Sequence, residues 1–394
     1  MWKVILIFDT SGAASRRTIQ GIARYSSLHG PWVFFREPPF YVISNGKLRT
    51  IKKLPDLDDQ KADGIIAHIP YTRNGSQFIP EGIPAVVSPY SIRQFPHFRN
   101  LITDNVALGK MAAEYFIDRG FRNFAYCGFG GMYWSRERGE SFAKRLKRAG
   151  FKTHFYQHGQ LLSRTPRKFS RVDTESLLAE WLKSLPKPLA VMACNDDRGQ
   201  GITEACKIAG LRIPYDVAVL GVDNDDMVCD LTNPPLSSIV VNNERAGYEA
   251  AEMLAQMMVG KKTNKQVIVA RPTHIVTRQS TDIFAVEDRG VSEALRFINE
   301  HARKSIHVDE VVNAATSSRR ALERRFRQIL GRSILDEIRR VRIEQVARML
   351  TETNMSVSEI AATLGYPGVE HIARYFRCEK GMSLLAYRKQ YGQK

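Results

Sequence analysis

Paired thiols are missing from this chain. Its five cysteines (Cys127, Cys194, Cys206, Cys229 and Cys378) are scattered, with no Cys-x-x-Cys pair and no metal-ligand spacing. An odd set of isolated thiols excludes a disulfide scaffold and points to a reducing cytosol. His68, His154, His158 and His274 also lack ligand spacing. Structural or surface places are expected for them, and no metal centre. Long apolar runs are absent too. The stretch Val4–Phe8 is far too short for a signal peptide or a membrane span, and nothing later approaches that length. There is no low-complexity tract and no short-period repeat.

What is present in excess is positive charge. The 394 residues carry a formal charge of +17, of which about +7 lies after residue 290. Such a balance favours a polyanionic partner, although the upstream part is basic as well. A hydrophobic content of 43% is ample for large cores, and the length suggests two or three domains.

Over the first 280 residues short apolar runs alternate with helical patterns. The runs are Val4–Phe8, Trp32–Phe35, Gly64–Ile69, Pro84–Ser88, Phe124–Phe129, Leu189–Cys194, Val217–Val222 and Ser238–Val241. Most lack polar alternation, which predicts strands buried on both faces. Helices are expected at Arg16–Tyr25, Val106–Arg119, Ser135–Ala149, Asp173–Leu185, Gly199–Ala209 and Asn243–Val259. The alternation implies doubly wound parallel sheets, and the length favours two lobes with a cleft.

Ligands of such folds sit beyond the C-terminal strand ends. The polar residues there are Asp9, Asn195, Asp196, Asp197 and the run Asp223-Asn224-Asp225-Asp226, with Arg136 and Arg138 opening a helix. Carboxylates, amides and an arginine around one cleft suit the hydroxyls of a neutral polyol such as a sugar. No glycine-rich phosphate loop accompanies them, which argues against nucleotides. Asp225 and Asp226 read more as turn and cap residues than Asp223 does. Asp104-Asn105 is expected at a crossover, as a helix cap or a hinge contact.

After an aperiodic linker at about 281–290, helical pattern resumes at Val291. Two helix-turn-helix units follow, Val308 to Gly331 and Ser356 to Gly381. In each second helix apolar residues recur at helical spacing (Leu322, Phe326, Ile329; Ile372, Phe376) and arginines fill the remaining positions. Ser317 or Ser318 suits an N-cap, Ser356 and Glu359 have capping-box spacing, and Gly331 and Gly381 stand where each helix must stop. The amphipathic segment Ser333 to Leu350 would hold two recognition helices about one DNA turn, roughly 34 Å, apart. Arg320, Arg324 and Arg374 are the expected base readers, since arginine can bond O6 and N7 of guanine together. Glu323, Glu370 and His371 share the exposed faces, and Ser318 and Arg319 complete the DNA-facing set. Arg319, Arg325, Arg327 and Arg377 are assigned to phosphates or solvent.

The C-terminal part resembles an AraC/XylS-type DNA-binding domain. The carrying residues are Ser317–Gly331, Arg342–Leu350, Ile360-Ala361 with Gly365-Tyr366, Phe376-Arg377 with Gly381, and Tyr387-Arg388. The N-terminal part is similar to the periplasmic-binding-protein-like ligand domain of LacI/GalR regulators, through Thr103-Asp104-Asn105, the Arg138 to Phe142 stretch, Cys194-Asn195-Asp196 and Gly221-Val222-Asp223. That resemblance maps effector contacts onto Arg138, Asn195 or Asp196, and Asp223, with Asp9 and Arg16 joining the set. A LacI-like sensor ahead of an AraC-like reader implies a sugar effector, a pentose such as D-xylose, and no cofactor.

The expected fold is therefore a two-lobed α/β periplasmic-binding-protein-like domain (1–280), a linker (281–290) and an all-α domain with two helix-turn-helix units (291–394). The expected function is an activator of pentose-use genes. Its partners would be double-stranded DNA at operator half-sites, the sugar, a second copy in a homodimer, and RNA polymerase, with no membrane. It would be cytoplasmic and nucleoid-associated when bound. Two rivals are a sugar-active enzyme with a DNA-targeting tail and an architectural DNA binder whose large domain only dimerises. No convincing catalytic carboxylate pair supports the first.

Overall fold

The computed structural model describes residues 1–36, 62–69, 79–89, 92–156, 171–261, 266–286 and 288–392. His158 lies outside them. Two six-stranded sheets form two lobes. The first has the order β11-β5-β4-β3-β1-β2, from Val267–Ala270 (β11), Arg99–Thr103 (β5), Ala85–Pro89 (β4), Gly64–Ile69 (β3), Lys3–Ile7 (β1) and Val33–Arg36 (β2). The second has the order β12-β10-β9-β8-β6-β7, from Pro272–Val276 (β12), Ser237–Val241 (β10), Val217–Val222 (β9), Leu189–Ala193 (β8), Asn123–Cys127 (β6) and Thr153–Phe155 (β7). Neighbouring strands run parallel except β10 and β12, which are antiparallel.

The apolar strands fill both faces. In β1, Val4 and Leu6 join one core while Ile5 joins another. In β9, Ala218, Leu220 and Val222 face one way and Val217 and Val219 the other. With helices over both faces, every position in the strand must be apolar, which is why polar alternation is missing.

Helices α1 (Ala13–His29) and α7 (Asn243–Met258) pack together on the first lobe; α2 (Asn105–Asp118) packs with α3 (Tyr133–Arg148) on the second. The second lobe also carries α4 (Arg171–Ser184), α5 (Asp196–Ala209) and the short α6 (Asp226–Leu231). The chain crosses between lobes after β5, after β10 and between β11 and β12. Asp104 stands at the first crossover and caps α2, its side chain accepting from the Ala107 N–H at 2.9 Å.

The linker residues are packed. Ala285 N–H donates to the Arg119 carbonyl at 2.8 Å, and Phe284 and Val286 lie against the next core. Helices α8 (Arg289–Glu300), α9 (Val308–Ala314) and α10 (Arg319–Leu330) form the first reading unit. Then come α11 (Ile334–Glu352), α12 (Val357–Thr363), α13 (Val369–Lys380) and α14 (Leu384–Tyr391). One helix serves two cores: Ile334, Ile338 and Val341 of α11 pack with the first unit, Ile343, Val346, Ala347 and Leu350 with the second. Its 19 residues give about 28 Å of rise. Gly331 and Gly381 end α10 and α13 with φ of 71° and 70°, left-handed values that glycine adopts without strain. The Ser356–Glu359 capping box forms. The serine cap of α10 does not: Ser318 holds the position without the side-chain bond, and the Ser317 hydroxyl accepts from Arg325 instead.

Candidate effector cleft and nucleic-acid interface

A cavity of about 1190 Å³ opens between the lobes. Asp9, Asn195, Asp196 and Asp223 line it from the ends of strands, and Arg138 lines it from α3. Asp9 follows β1. The backbone N–H and hydroxyl of Ser11 hold its carboxyl below the usual range, so it stays an acceptor.

Arg138 reaches the cleft from α3. Its carbonyl lies against Gly109 of α2, where an added Cβ would come within 2.4 Å; only glycine permits that approach. The buried guanidinium donates to Asn105 Oδ1 at 2.9 Å and to the Cys194 carbonyl at 2.5 Å, and its Cζ sits 4.8 Å from the Trp134 ring centroid. A charge held on three sides has little freedom left to lose on binding.

Asp223 and Asn224 have φ of 99° and 47°, strained for non-glycine residues. Surrounding bonds impose the strain. Asp223 N–H donates to the Ile239 carbonyl (3.0 Å), and Asn224 N–H to Ser238 Oγ (3.0 Å). Arg17 donates to both carbonyls, at 3.1 and 2.8 Å. The Asp223 carboxylate takes no hydrogen bond among the described residues. Burial pushes it above the usual range, with Arg138 and Arg17 pulling it back.

Asp196 has a different place from the one its position suggests. It is 2% exposed. Oδ2 accepts from the Asp225 N–H at 2.7 Å and Oδ1 from the Ser238 hydroxyl at 2.6 Å. Burial drives its carboxyl well up. Both oxygens support the loop that presents Asp223. Asn195 is similarly engaged: it caps α5 through Arg198 N–H (3.0 Å) and donates to Asp197 (2.9 Å).

Arg16 does not line the cavity. It crosses between lobes and grips Asp225 with one nitrogen, 2.7 and 2.8 Å from the two oxygens, while the Ala13 N–H donates to the same carboxylate at 3.0 Å. The start of α1 faces that loop, so the nearest anion captures the arginine.

On the reading face, Ser318, Arg319, Arg320 and Arg324 of α10 are exposed, as are Glu370, His371, Arg374 and Arg377 of α13. Glu323 is half-buried and pairs with Arg319 (3.4 Å), which also pairs with Asp309 (2.8 Å). Among the described residues Arg320, Arg324 and Arg374 make no ion pair, leaving their guanidinium groups available to a polyanion. Arg325, assigned above to phosphate or solvent, turns inward to Asp288 at 3.0 Å.

Residues 113–281 match a family described as a periplasmic binding protein-like domain, and residues 311–390 one described as a helix-turn-helix domain. The chain is 27% identical to the xylose operon regulatory protein of Haemophilus influenzae over 98% of both chains. It is 26% identical to the Escherichia coli protein of that name, covering 95% of this chain and 94% of the relative. A solved structure of a xylose-binding transcription activator aligns with a TM-score of 0.60 at 26% identity, over 99% of this chain and 98% of that one. The chain is a homologue of these regulators. It is a DNA-binding transcription regulator with a two-lobed domain ahead of a helix-turn-helix reader. These relatives are regulators rather than enzymes, and the reading as a sugar-active enzyme falls away.

The regulator's cleft holds more than strand-end polarity shows. Glu137 accepts from the Tyr133 hydroxyl (2.6 Å) and Asn105 Nδ2 (3.2 Å). Arg198 lies 4.3 Å from the Phe129 ring centroid. Asn243, 4% exposed, opens α7 just past the second crossover. Both line the cleft as hydrogen-bond donors, and among the described residues Arg198 Nε and Asn243 Nδ2 have no protein partner. Asn243 follows the end of β10, where the strand-end rule would have found it. Arg271, also on the wall, follows a strand the sequence reading missed.

Among the described residues no helix is long and apolar enough to cross a membrane, and no group of three or more His, Cys, Asp or Glu is placed to hold a metal.

Proposed function

We propose that this regulator senses a neutral sugar in the interlobe cleft, D-xylose first among pentoses, and activates sugar-use genes through its two reading helices. One observation carries the reading. The cleft opposes acceptors (Asp9, Asp223) to donors (Arg138, Arg198, Asn243) beside the aromatic faces of Phe129 and Trp134. A polyol offers both hydrogen-bonding roles and an apolar C–H face, and needs no net charge from its site. The regulatory relatives named for xylose support the pentose. The sugar acts by stabilising one closure state, since a ligand shifts an equilibrium only by binding two states unequally.

Arg320, Arg324 and Arg374 read bases, and the neighbouring arginines hold phosphates. The units of function are the stretch 1–280, its linker and the reader from 291. A homodimer would let both chains meet repeated half-sites on promoter DNA, in reach of RNA polymerase. The site would be filled in the cytoplasm.

The test is a thermal-shift screen of D-xylose, L-arabinose, D-ribose and D-glucose, then footprinting with and without the sugar that stabilises most. A one-site ligand at 100 times its Kd adds about 2.7 kcal/mol, which a melting curve resolves. Stabilisation by a pentose with a changed footprint supports the reading. No shift with any of the four overturns the sugar assignment and leaves the DNA assignment standing.

A further inference from the structure

The second reading unit is docked on the hinge. Tyr387 of α14 donates its hydroxyl to the Thr273 carbonyl at 3.3 Å, and Thr273 lies two residues past Arg271, which lines the cleft at the third crossover. His274 Nε2 meets Glu352, at the end of α11, at 2.8 Å. Arg245 Nη1 donates to the carbonyl of Gly392, just beyond α14, at 3.0 Å. Arg245 lies two residues past Asn243, at the second crossover, and Glu249 holds its guanidinium at 3.0 Å. Burial raises the Tyr391 phenol, Arg271 draws it down and Asp104 pushes it up; both of those neighbours are crossover residues on the cleft wall.

The anchors are not on one lobe. Thr273 and His274 belong to β12 in the second sheet, whereas Arg245 belongs to α7, which packs on the first lobe. The first reading unit is tied to the second lobe: Asp118, ending α2, takes Arg332 and Arg340 at 3.0 Å each, and Arg122 donates to the Ile329 carbonyl at 3.1 Å. When the lobes close, the Arg245 anchor must move relative to the Asp118 and Thr273 anchors. The reader domain then follows or lets go at α14.

We propose that α14 is the element through which lobe closure reaches the DNA-binding domain, with Arg245 as its positioning residue on the first lobe. The inference rests on the sensor reading above and adds the route by which occupancy is transmitted. Coupling between cleft and DNA is reciprocal and of the order of 5- to 150-fold in typical allosteric proteins. A single bond from the lobe that moves is enough to bias a two-state docking of this kind.

The experiment uses the full chain, the same four sugars as probes, and a duplex selected from a random pool by the wild type. In Arg245→Ala the stabilising sugar is expected to bind within about threefold of wild type, since Arg245 is not on the cleft wall. The effect of that sugar on duplex affinity is expected to fall from at least about fivefold to under twofold. Arg245→Lys, which keeps a donor for the Gly392 carbonyl, is expected to recover part of it, as a purely structural role would not require. If Arg245→Ala does not fold, Arg245→Met keeps the bulk of the side chain without the donor for the Gly392 carbonyl and reads the same coupling. A full sugar effect in a folded Arg245→Ala or Arg245→Met overturns the inference. A wild type that none of the four sugars stabilises overturns the sensor reading, and this inference with it.

Discussion

At the scale of single residues, burial decided which polar side chains serve a ligand and which serve the scaffold. Asp196 and Asp223 both stand at strand ends, and sequence alone gives them equal standing. The fold gives the first two internal donors and leaves the second open to the cleft. Asp223→Asn separates the roles. A carboxyl raised by burial contributes most below its ordinary 3.8 and loses that contribution as pH rises through the folded value. Removing the charge is therefore expected to leave the melting temperature at pH 7 unchanged or higher. Sugar affinity should fall by about 10- to 100-fold, the worth of a hydrogen bond to a charged group. Melting curves with calorimetric titration check this, and a variant that melts early yet binds normally would assign Asp223 to the scaffold. On the reading face, Arg324→Ala is expected to cost about 1–3 kcal/mol of duplex affinity and relax one base position; unchanged affinity and footprint would remove Arg324 from the readers. The strand-end rule reaches Asp9 and Asp223, and the opening of α3 reaches Arg138, all three on the cavity wall. Arg16 lies off that wall because its partner, Asp225, is 209 residues away, and no local pattern encodes that contact.

At the scale of elements, length governed legibility. The long helices and the all-apolar strands were readable because each repeats its signal several times. β5 opens on Arg99 and Asn100, β12 contains Pro272 and His274, and α14 is two turns long; each is too short or too mixed to show a period. These missed elements flank the first and third crossovers and supply the docking helix. Element α11 shows what sequence cannot weigh even when it finds the helix. Its Glu337 is charged yet fully buried, bonded to Arg332 at 2.5 Å and Arg340 at 2.8 and 2.9 Å. Burial would raise its carboxyl, and the two arginines bring it below the usual range instead. Breaking such a group from one side costs up to about 3–5 kcal/mol, because two half-buried arginines are left with Asp118 alone. Glu337→Ala is expected to lower the urea midpoint accordingly and to loosen the first reader from Asp118. A change under about 1 kcal/mol would mean that water already reaches the cluster.

At the scale of the whole molecule, the two-domain plan was legible from periodicity, but the way one domain rests on the other was not. Hydrogen bonds and ion pairs between residues far apart in the chain leave no trace in local spacing, and His274, which sequence could only assign to structure or surface, turns out to join the domains. That contact should make the seam sensitive to acid. Burial alone would raise Glu352, but the His274 ring nitrogen 2.8 Å away and the Arg348 guanidinium bring its carboxyl down to about 2. A depressed acid contributes in full above its ordinary 4.5 and loses the contribution as pH falls toward about 2. Wild type is therefore expected to lose stability through that window more steeply than Glu352→Gln, which has no charge to lose there, while at pH 7 the variant melts earlier. Melting temperatures of both chains across the window check it. Parallel curves would show that the His274–Glu352 contact does not hold the reader to the sensor, and that the seam rests on its other contacts, Tyr387, Arg245, Arg122 and the Asp118 cluster among them.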